Sequence, residues 1–345
     1  MDLAQLKAAA HHLMSHAYRP GTKANHTRQF KVYIQFCQHY KLQALNPSTE
    51  TLCLYATYLS NRLKAPKAVS NYMAAVRLLH KYLDLLPENM DSFQLSLILR
   101  AIKINKRHCE HQKPPIDPPL LKRLCQLCDR IKSPSSRMLK CALVFAFYGF
   151  LRQSNLAPRR SHDFDPTRHT CRGDIIITHN TSISILIKWS KNRQSMEDNM
   201  IVSLPSMPGD SLDPVTAYRN MLKDVPTASA NDPLLQLPSN GSSQTVTVNT
   251  LRRGLAKLLA ACNINPHLYS LHSLRRGGAS AAYTAGADPH HIMQHGGWKS
   301  QAFWGYISSH RPGAAVKAAL DRATRPTHAP RRRRSAPPSH TMPVA

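Results

Sequence analysis

The sequence predicts a mainly α chain of the α+β class, with an all-helical N-terminal domain and a second helical domain carrying one small antiparallel β-sheet. Three observations predict this. Apolar residues recur at helical spacing through residues 4–107 without a β-rich run between them. A polar, proline-rich stretch, "NKRHCEHQKPPIDPP", then interrupts the pattern. Beyond it, two β-branched runs, "GDIIITHN" and "SISILIKWSK", stand either side of a short polar turn.

The elements follow in order. "TKANHTRQFKVYIQFCQHY" sets Phe30, Tyr33, Phe36 and Cys37 on one helical face. "NPSTETLCLYATYLSNRL" opens on a Ser-Thr-Glu start signal and continues with Leu52, Leu54, Tyr55 and Leu59. "VSNYMAAVRLLHKYLDL" adds Tyr72, Val76, Leu79 and Tyr82, so a bundle of four or five short helices is expected. Helices seldom survive Pro114–Pro115, because proline removes a donor and pushes the preceding residue toward extended backbone; a linker is placed at 108–117. Asp117 then caps a helix with Pro118 at its first position. "SRMLKCALVFAFYGFL" is apolar enough to be a buried helix, and "NMIVSLP" adds a third strand to the hairpin. Helices resume at "DPVTAYRNMLKDV", "TVNTLRRGLAKLLAAC", "SLRRGGASAAYTAG" and "DPHHIMQHG". This gives domains at 1–107 and 118–322, with a basic Pro/Arg-rich disordered tail at 323–345.

With 46 Lys and Arg against 19 Asp and Glu, the net charge is +27. Such a chain repels itself unless it works against a polyanion, and the tail's five arginines account for little of the excess. Nucleic acid is the first partner this implies, with a basic ribosomal-type or membrane-surface protein as the alternative. No apolar run reaches the length of a membrane span, so no membrane partner is expected, and the first residues do not read as a signal peptide. The eight cysteines lack a disulfide rhythm, which suits a reducing compartment. Cys125-x-x-Cys128 falls in a helical pattern with no second pair, so neither a metal site nor a cofactor is expected.

Acting on a phosphodiester without metal requires cations for the phosphorane oxygens, a base and an acid for two protons, and, on a covalent route, a nucleophile. His272 and Arg275 stand one helical turn apart at the start of a helix, where an anion is favoured. Arg152 closes an apolar helix in "YGFLRQSNLAP". Taken one at a time, these are weak signals, and a solvated surface charge explains each as well.

The joint pattern resembles the tyrosine recombinase or integrase family. "YGFLRQSNLA" is similar to its first arginine motif, "LHSLRRGGASAAYTAGA" to its H-x-x-R motif, and "IMQHGGWKSQAFWGYI" to the turn and nucleophile helix of Cre-like members. The W-K-S-x-A-F-x-x-Y form is closest to recombinases of eukaryotic DIRS-like or Crypton-like mobile elements. The resemblance covers roughly residues 10–322, with the N-terminal region corresponding to a core-binding domain.

It implies a site-specific recombinase that cuts and rejoins double-stranded DNA through a 3′-phosphotyrosyl intermediate without metal or ATP. Arg152 and Arg275 would clamp the phosphate, His272 would take the nucleophile's proton, and Trp298 would donate from its indole N–H. Tyr306 would attack. A lysine at the β-hairpin would protonate the leaving oxygen, with Lys191 in "WSKNR" preferred over Lys188 in the strand. Synapsis on DNA as a homotetramer, with the "RPGAAVKAALDRAT" helix exchanged between protomers, and a nuclear location consistent with Arg331–Arg334 are further expectations. His290, His291 and His295 are expected to be solvated or turn residues.

Two departures stand out. Asn155 occupies a position where relatives carry an acid, and the Trp298–Tyr306 spacing is one residue shorter than in Cre-like members. Two alternatives keep the fold: a type IB topoisomerase-like relaxing enzyme, and a domesticated DNA-binding protein without catalysis, for which Asn155 is the only support.

Overall fold

The computed structural model describes residues 2–85, 88–106, 112–178, 181–189 and 199–307. The chain divides into two units between His111 and Gln112. Lys191, the tail from residue 323 and the segment expected to form the exchanged helix lie outside the described residues.

The N-terminal unit contains α1 (Leu3–His16), α2 (Pro20–His39), α3 (Thr49–Arg62), α4 (Pro66–Tyr82) and α5 (Phe93–Asn105), with no strand among the described residues. Of the residues the spacing sets on the apolar faces, Tyr33, Phe36, Leu52, Tyr55, Leu59 and Val76 are buried in its core, whereas Leu54 and Tyr82 are exposed. Ser48 starts α3 by accepting from the Thr51 amide at 3.1 Å, which satisfies one of the orphan donors of a helix N-terminus.

The second unit is built around α7 (Pro134–Tyr148), buried on every side from Met138 to Phe147. A helix apolar all round must be wrapped, and α6 (Pro118–Ile131), α9 (Pro214–Leu222), α10 (Val248–Ala261) and α11 (Leu271–Thr284) wrap it. Each side chain of Leu or Phe size buried there contributes about 1.5–3 kcal/mol. Asp117 caps α6 by accepting from Leu120 N at 2.9 Å, and Asp288 caps α12 (Pro289–Gly296) by accepting from His290 N at 2.7 Å.

Strands β1 (Ile175–Thr178), β2 (Ser182–Ile187) and β3 (Met200–Pro205) form an antiparallel sheet with β2 in the centre. Ile183, Ile185 and Ile187 point into the core, and the residues between them face outward. A second, two-stranded sheet not expected from the sequence joins β4 (Gln236–Ser239) to β5 (Ser242–Thr245). Its strands are polar and escape a search for β-branched runs. Its turn is Asn240-Gly241, both at positive φ (32° and 77°), the backbone a two-residue hairpin requires.

Residues 112–117 pack on the second unit. Ile116 is buried and its N–H donates to Ser273 O at 2.9 Å. A Cβ on Gly277 would come within 1.7 Å of Ile116 O, and one on Gly278 within 2.0 Å of Phe147 O. The glycine pair therefore lets α11 approach the backbone of both neighbours, and it fixes where His272 and Arg275 project.

Candidate active site

Helix α11 carries most of the site. Arg275 is 1% exposed. Its guanidinium donates to the carbonyl of Phe150, and to Gly296 O at 2.9 Å. Those two carbonyls end separate elements, one just past α7 and one at the close of α12, so Arg275 ties three pieces of chain together. Its guanidinium carbon lies 3.8 Å from the centroid of the Trp298 ring and 5.4 Å from that of Tyr306. Among the described residues its Nε has no hydrogen-bond partner.

Phe150 takes φ of 46°, a left-handed backbone that costs an aromatic residue on the order of 1 kcal/mol or more. That conformation turns the chain sharply after α7 and aims the Phe150 carbonyl at Arg275. The ring packs against His295 (4.8 Å between centroids) and Trp298 (6.2 Å). His295 is half-buried and hydrogen-bonds Tyr148 O at 2.8 Å, so it is a packing residue and not a solvated one. Burial, ahead of the charge of Arg275, holds its pKa below the ordinary histidine value.

Arg152 is not at the end of α7, which stops at Tyr148. It is the extended residue (φ −77°, ψ 150°) that caps the short α8 (Gln153–Leu156). The expectation that Arg152 closes the apolar helix is therefore corrected. Burial lowers its pKa, and Tyr306 acts in the opposite direction. Arg275 is likewise lowered by burial first and by the charge of Arg152 second. Two guanidiniums thus crowd each other close to one tyrosine. Both stay charged at neutral pH, and neither is paired with a carboxylate among the described residues.

Tyr306 lies at the end of a 3₁₀ turn over Gln301–Tyr306, the stretch for which a nucleophile helix was expected. Ser280 Oγ donates to its carbonyl at 3.2 Å and fastens the turn to α11. Its ring meets His272 edge-on at 5.1 Å and Trp298 at 5.0 Å. Phe303 is fully buried beneath it, while Tyr283 packs edge-on against Trp304 at 5.8 Å. The Trp298–Tyr306 spacing therefore closes into contact through the 3₁₀ turn. Trp298 itself is 7% exposed, and its Nε1 has no hydrogen-bond partner among the described residues.

His272 remains exposed at the mouth of the site. Desolvation, and then the charges of Arg275, Arg152 and Arg276, hold its pKa down at about 4. It is a neutral imidazole at physiological pH, able to accept a proton. A cleft of about 350 Å³ opens beside it, lined by Gln112, Lys113, Ser270, His272, Arg276 and Tyr306. Arg276 NH1 donates to Lys113 O at 2.6 Å, and Lys113 Nζ to Tyr269 O at 2.9 Å. The sequence reading had not placed Gln112 and Lys113 at the site, nor the carbonyls that hold Arg275. Main-chain acceptors leave no signature in side-chain identity.

The structure therefore brings Arg152, His272, Arg275, Trp298 and Tyr306 together. Lys191 lies outside the described residues. Lys188 is bound at 2.7 Å to Asp174 Oδ2, with Cys171 Sγ at 3.5 Å. Among the described residues no cluster of three or more His, Cys, Asp or Glu side chains is disposed to hold a metal ion, and no helix is long and apolar enough to cross a membrane.

The fold is that of known structures. The Tn1549 transposon integrase in complex with transposon right-end DNA matches with a TM-score of 0.59 at 16% identity, over 93% of this chain and 99% of that one. The same integrase in complex with circular intermediate DNA matches with a TM-score of 0.57 at 15% identity, over 88% and 94%. The XerH site-specific recombinase bound to palindromic difH, in a post-cleavage complex, matches with a TM-score of 0.52 at 18% identity, over 79% and 71%. No family model and no curated protein matches the sequence. The chain has the tyrosine recombinase fold.

Proposed function

We propose that the chain is a site-specific DNA recombinase that cuts and rejoins DNA through Tyr306. The observation that carries this reading is the convergence on one tyrosine of two guanidiniums without carboxylate partners, a neutral histidine and a buried, unpaired indole donor. Leaving the Arg275 Nε and Trp298 Nε1 donors unsatisfied in a folded chain costs about 1–3 kcal/mol each, which a phosphate at the site would recover.

The steps follow from the groups. His272 takes the Tyr306 hydroxyl proton as the phenol oxygen attacks phosphorus. Arg152, Arg275 and the Trp298 indole N–H stabilise the charge on the non-bridging oxygens. The 5′-oxygen leaves with a proton from Lys191, and the 3′-phosphate stays on Tyr306. Attack by a 5′-hydroxyl reverses the sequence, and because the phosphotyrosyl bond conserves the energy of the broken linkage, neither ATP nor a metal is required. Lys188 is engaged with Asp174, which supports Lys191 as the acid. We further assign the chain to a mobile element, acting in the nucleus and synapsing DNA as a homotetramer. The sequence features behind these assignments are the W-K-S-x-A-F-x-x-Y motif, the Arg331–Arg334 run and the segment after Tyr306.

The test is capture of a covalent complex. The full chain is incubated with a pool of nicked duplexes of randomised sequence, and SDS-resistant adducts are recovered and sequenced. The expected result is a phosphotyrosine at Tyr306 and a recurring DNA site. DNA binding without any adduct would refute the enzyme reading and favour a binding-only protein. Adducts without a recurring site would favour a relaxing enzyme.

A further inference from the structure

The cleft beside His272 is set apart from the phosphate clamp. His272 and Tyr306 line it, whereas Arg152, Arg275 and Trp298 do not, so a phosphate held by those three would not fill it. Its cations are Lys113 and Arg276, and no carboxylate stands among the described residues that line it. A cleft of that charge beside a tyrosine and a neutral histidine suits a second anion.

Arg276 is the residue that aims charge into it. Successive residues of a helix project about 100° apart, so Arg275 and Arg276 cannot serve the same place. Arg275 turns inward to the carbonyls of Phe150 and Gly296. Arg276 is half-buried and its guanidinium donates instead to Lys113 O at 2.6 Å. That carbonyl belongs to the stretch which Ile116 pins to α11 through its N–H on Ser273 O, so the guanidinium is held in a defined position. His272 stands one turn back from both arginines and neighbours each on the helix surface. Arg276 joins Arg275 and Arg152 in lowering the His272 pKa, and Tyr306 in turn supports the charge of Arg276 against burial. A third guanidinium is thus within electrostatic reach of both base and nucleophile, on the cleft side of them.

A DNA strand is a continuous row of phosphates, so one phosphate placed at Arg152 and Arg275 brings its neighbours close to Tyr306. We infer that the cleft is a second phosphate subsite, in which Arg276, with Lys113 beside it, binds a phosphate flanking the scissile one on the cleaved strand. The contact carries no base information and fixes the position of the strand against Tyr306. This rests on the reading of the chain as a recombinase, and it adds that the strand is gripped at two successive phosphates by two successive arginines.

The experiment removes each side of the contact in turn. Duplexes of the recovered site are prepared with a neutral methylphosphonate at the phosphate on either side of the scissile one. Single-turnover adduct rates are measured at subsaturating protein for wild type, Arg276→Ala and Arg276→Lys. One of the two neutral duplexes is expected to slow wild type roughly tenfold, and Arg276→Ala to slow the natural duplex by a similar factor. The two changes together should cost no more than about twofold beyond either alone, because they delete the same contact. Arg276→Lys, which keeps the charge and loses the fork, should recover part of the rate on the natural duplex and none on the neutral one. Losses that multiply at both flanking positions would show that Arg276 only fastens residues 112–117 to α11, and would overturn the inference.

Equilibrium binding supplies a second readout, taken in a Tyr306→Phe background so that no strand is cut. Loss of one phosphate contact lowers the slope of log affinity against log salt by about 0.9. Arg276→Ala is expected to lose that much more slope than Arg123→Ala, which removes an equal charge from the exposed surface of α6. Equal slopes for the two variants would refute the subsite. If wild type forms no adduct on any duplex, the recombinase reading is the one that fails, and the comparison of slopes alone then decides whether the cleft takes a DNA phosphate.

Discussion

Two regions of the second unit bury cations and treat them in opposite ways. On the α6–α7–α9 side, Lys140 is 9% exposed and lies 2.7 Å from both oxygens of Asp129, while Arg137 donates from Nε to Asp224 at 2.6 Å. On the α11 side, Arg275 is more deeply buried and Arg152 is half-buried, yet Arg275 faces main-chain carbonyls and an aromatic ring, and the strongest charge acting on it is that of Arg152. The first arrangement neutralises charge and holds helices together. The second leaves positive charge without a counter-charge, at a cost in solvation; on the proposed reading it is kept for an anion that arrives from outside. Burial alone does not separate the two regions. The absence of a counter-charge beside a tyrosine and a neutral histidine does.

The sharpest way to break this contrast is at the nucleophile. Tyr306→Phe keeps the ring contacts with His272 and Trp298, and is expected to abolish the SDS-resistant adduct while leaving DNA binding intact. An adduct that survives would place the chemistry on another residue. Next in size is Arg275→Lys, which retains a charge but cannot reach both the Phe150 and Gly296 carbonyls as a fork. Adduct formation should fall roughly 10²- to 10³-fold, measured as a single-turnover rate.

The third prediction uses pH. Because the folded-state pKa of His272 is depressed to about 4, the imidazole stays a neutral base as pH falls through 6.5. The acid limb of the cleavage rate should therefore lie nearer 4 than 6.5, and Arg152→Ala should move it upward. The linkage has the matching sign: between pH 6.5 and about 4 the unfolded chain binds a proton that the folded chain refuses. This contribution to stability is thus fully present above 6.5 and declines as pH falls through that window. An unshifted limb in wild type would show that the guanidiniums do not act on His272. The smallest effect belongs to the other region. Asp129→Asn should lower stability by about 1–2 kcal/mol in urea unfolding, with cleavage unchanged, because it strands Lys140 and touches nothing in the site.

Much of the fold was legible because it rests on local chemistry. Ser48, Asp117 and Asp288 announce helix starts, and the isoleucines of β2 alternate as a half-buried strand must. The second hairpin was equally announced by Asn240-Gly241, but its polar strands drew attention away from a turn signal stronger than they are. Within the site, His272, Arg275, Trp298 and Tyr306 stand in two short motifs, so their types and spacing could be read together. What was hidden depends on tertiary approach. Arg152 caps a following turn because Phe150 reverses the chain, His295 is half-buried because Phe150 covers it, and Asn155 makes sense only once Trp189, whose carbonyl accepts from its amide, is beside it. The engagement of Lys188 likewise depends on Asp174, which a strand-alternation argument does not bring into view.

Phe150 gives the site an evolutionary consequence. Its backbone conformation suits glycine, yet its ring fills the space between α11, His295 and Trp298. Glycine there would relax the backbone and open a void, whereas any other side chain would keep the backbone cost and pack less well. No single substitution improves the position on both counts, so it stands at a local optimum that further selection cannot leave in one step. A chain released from the need to hold Arg275, His295 and Trp298 together would be free to trade the ring for glycine, so relaxed selection should show its first losses here.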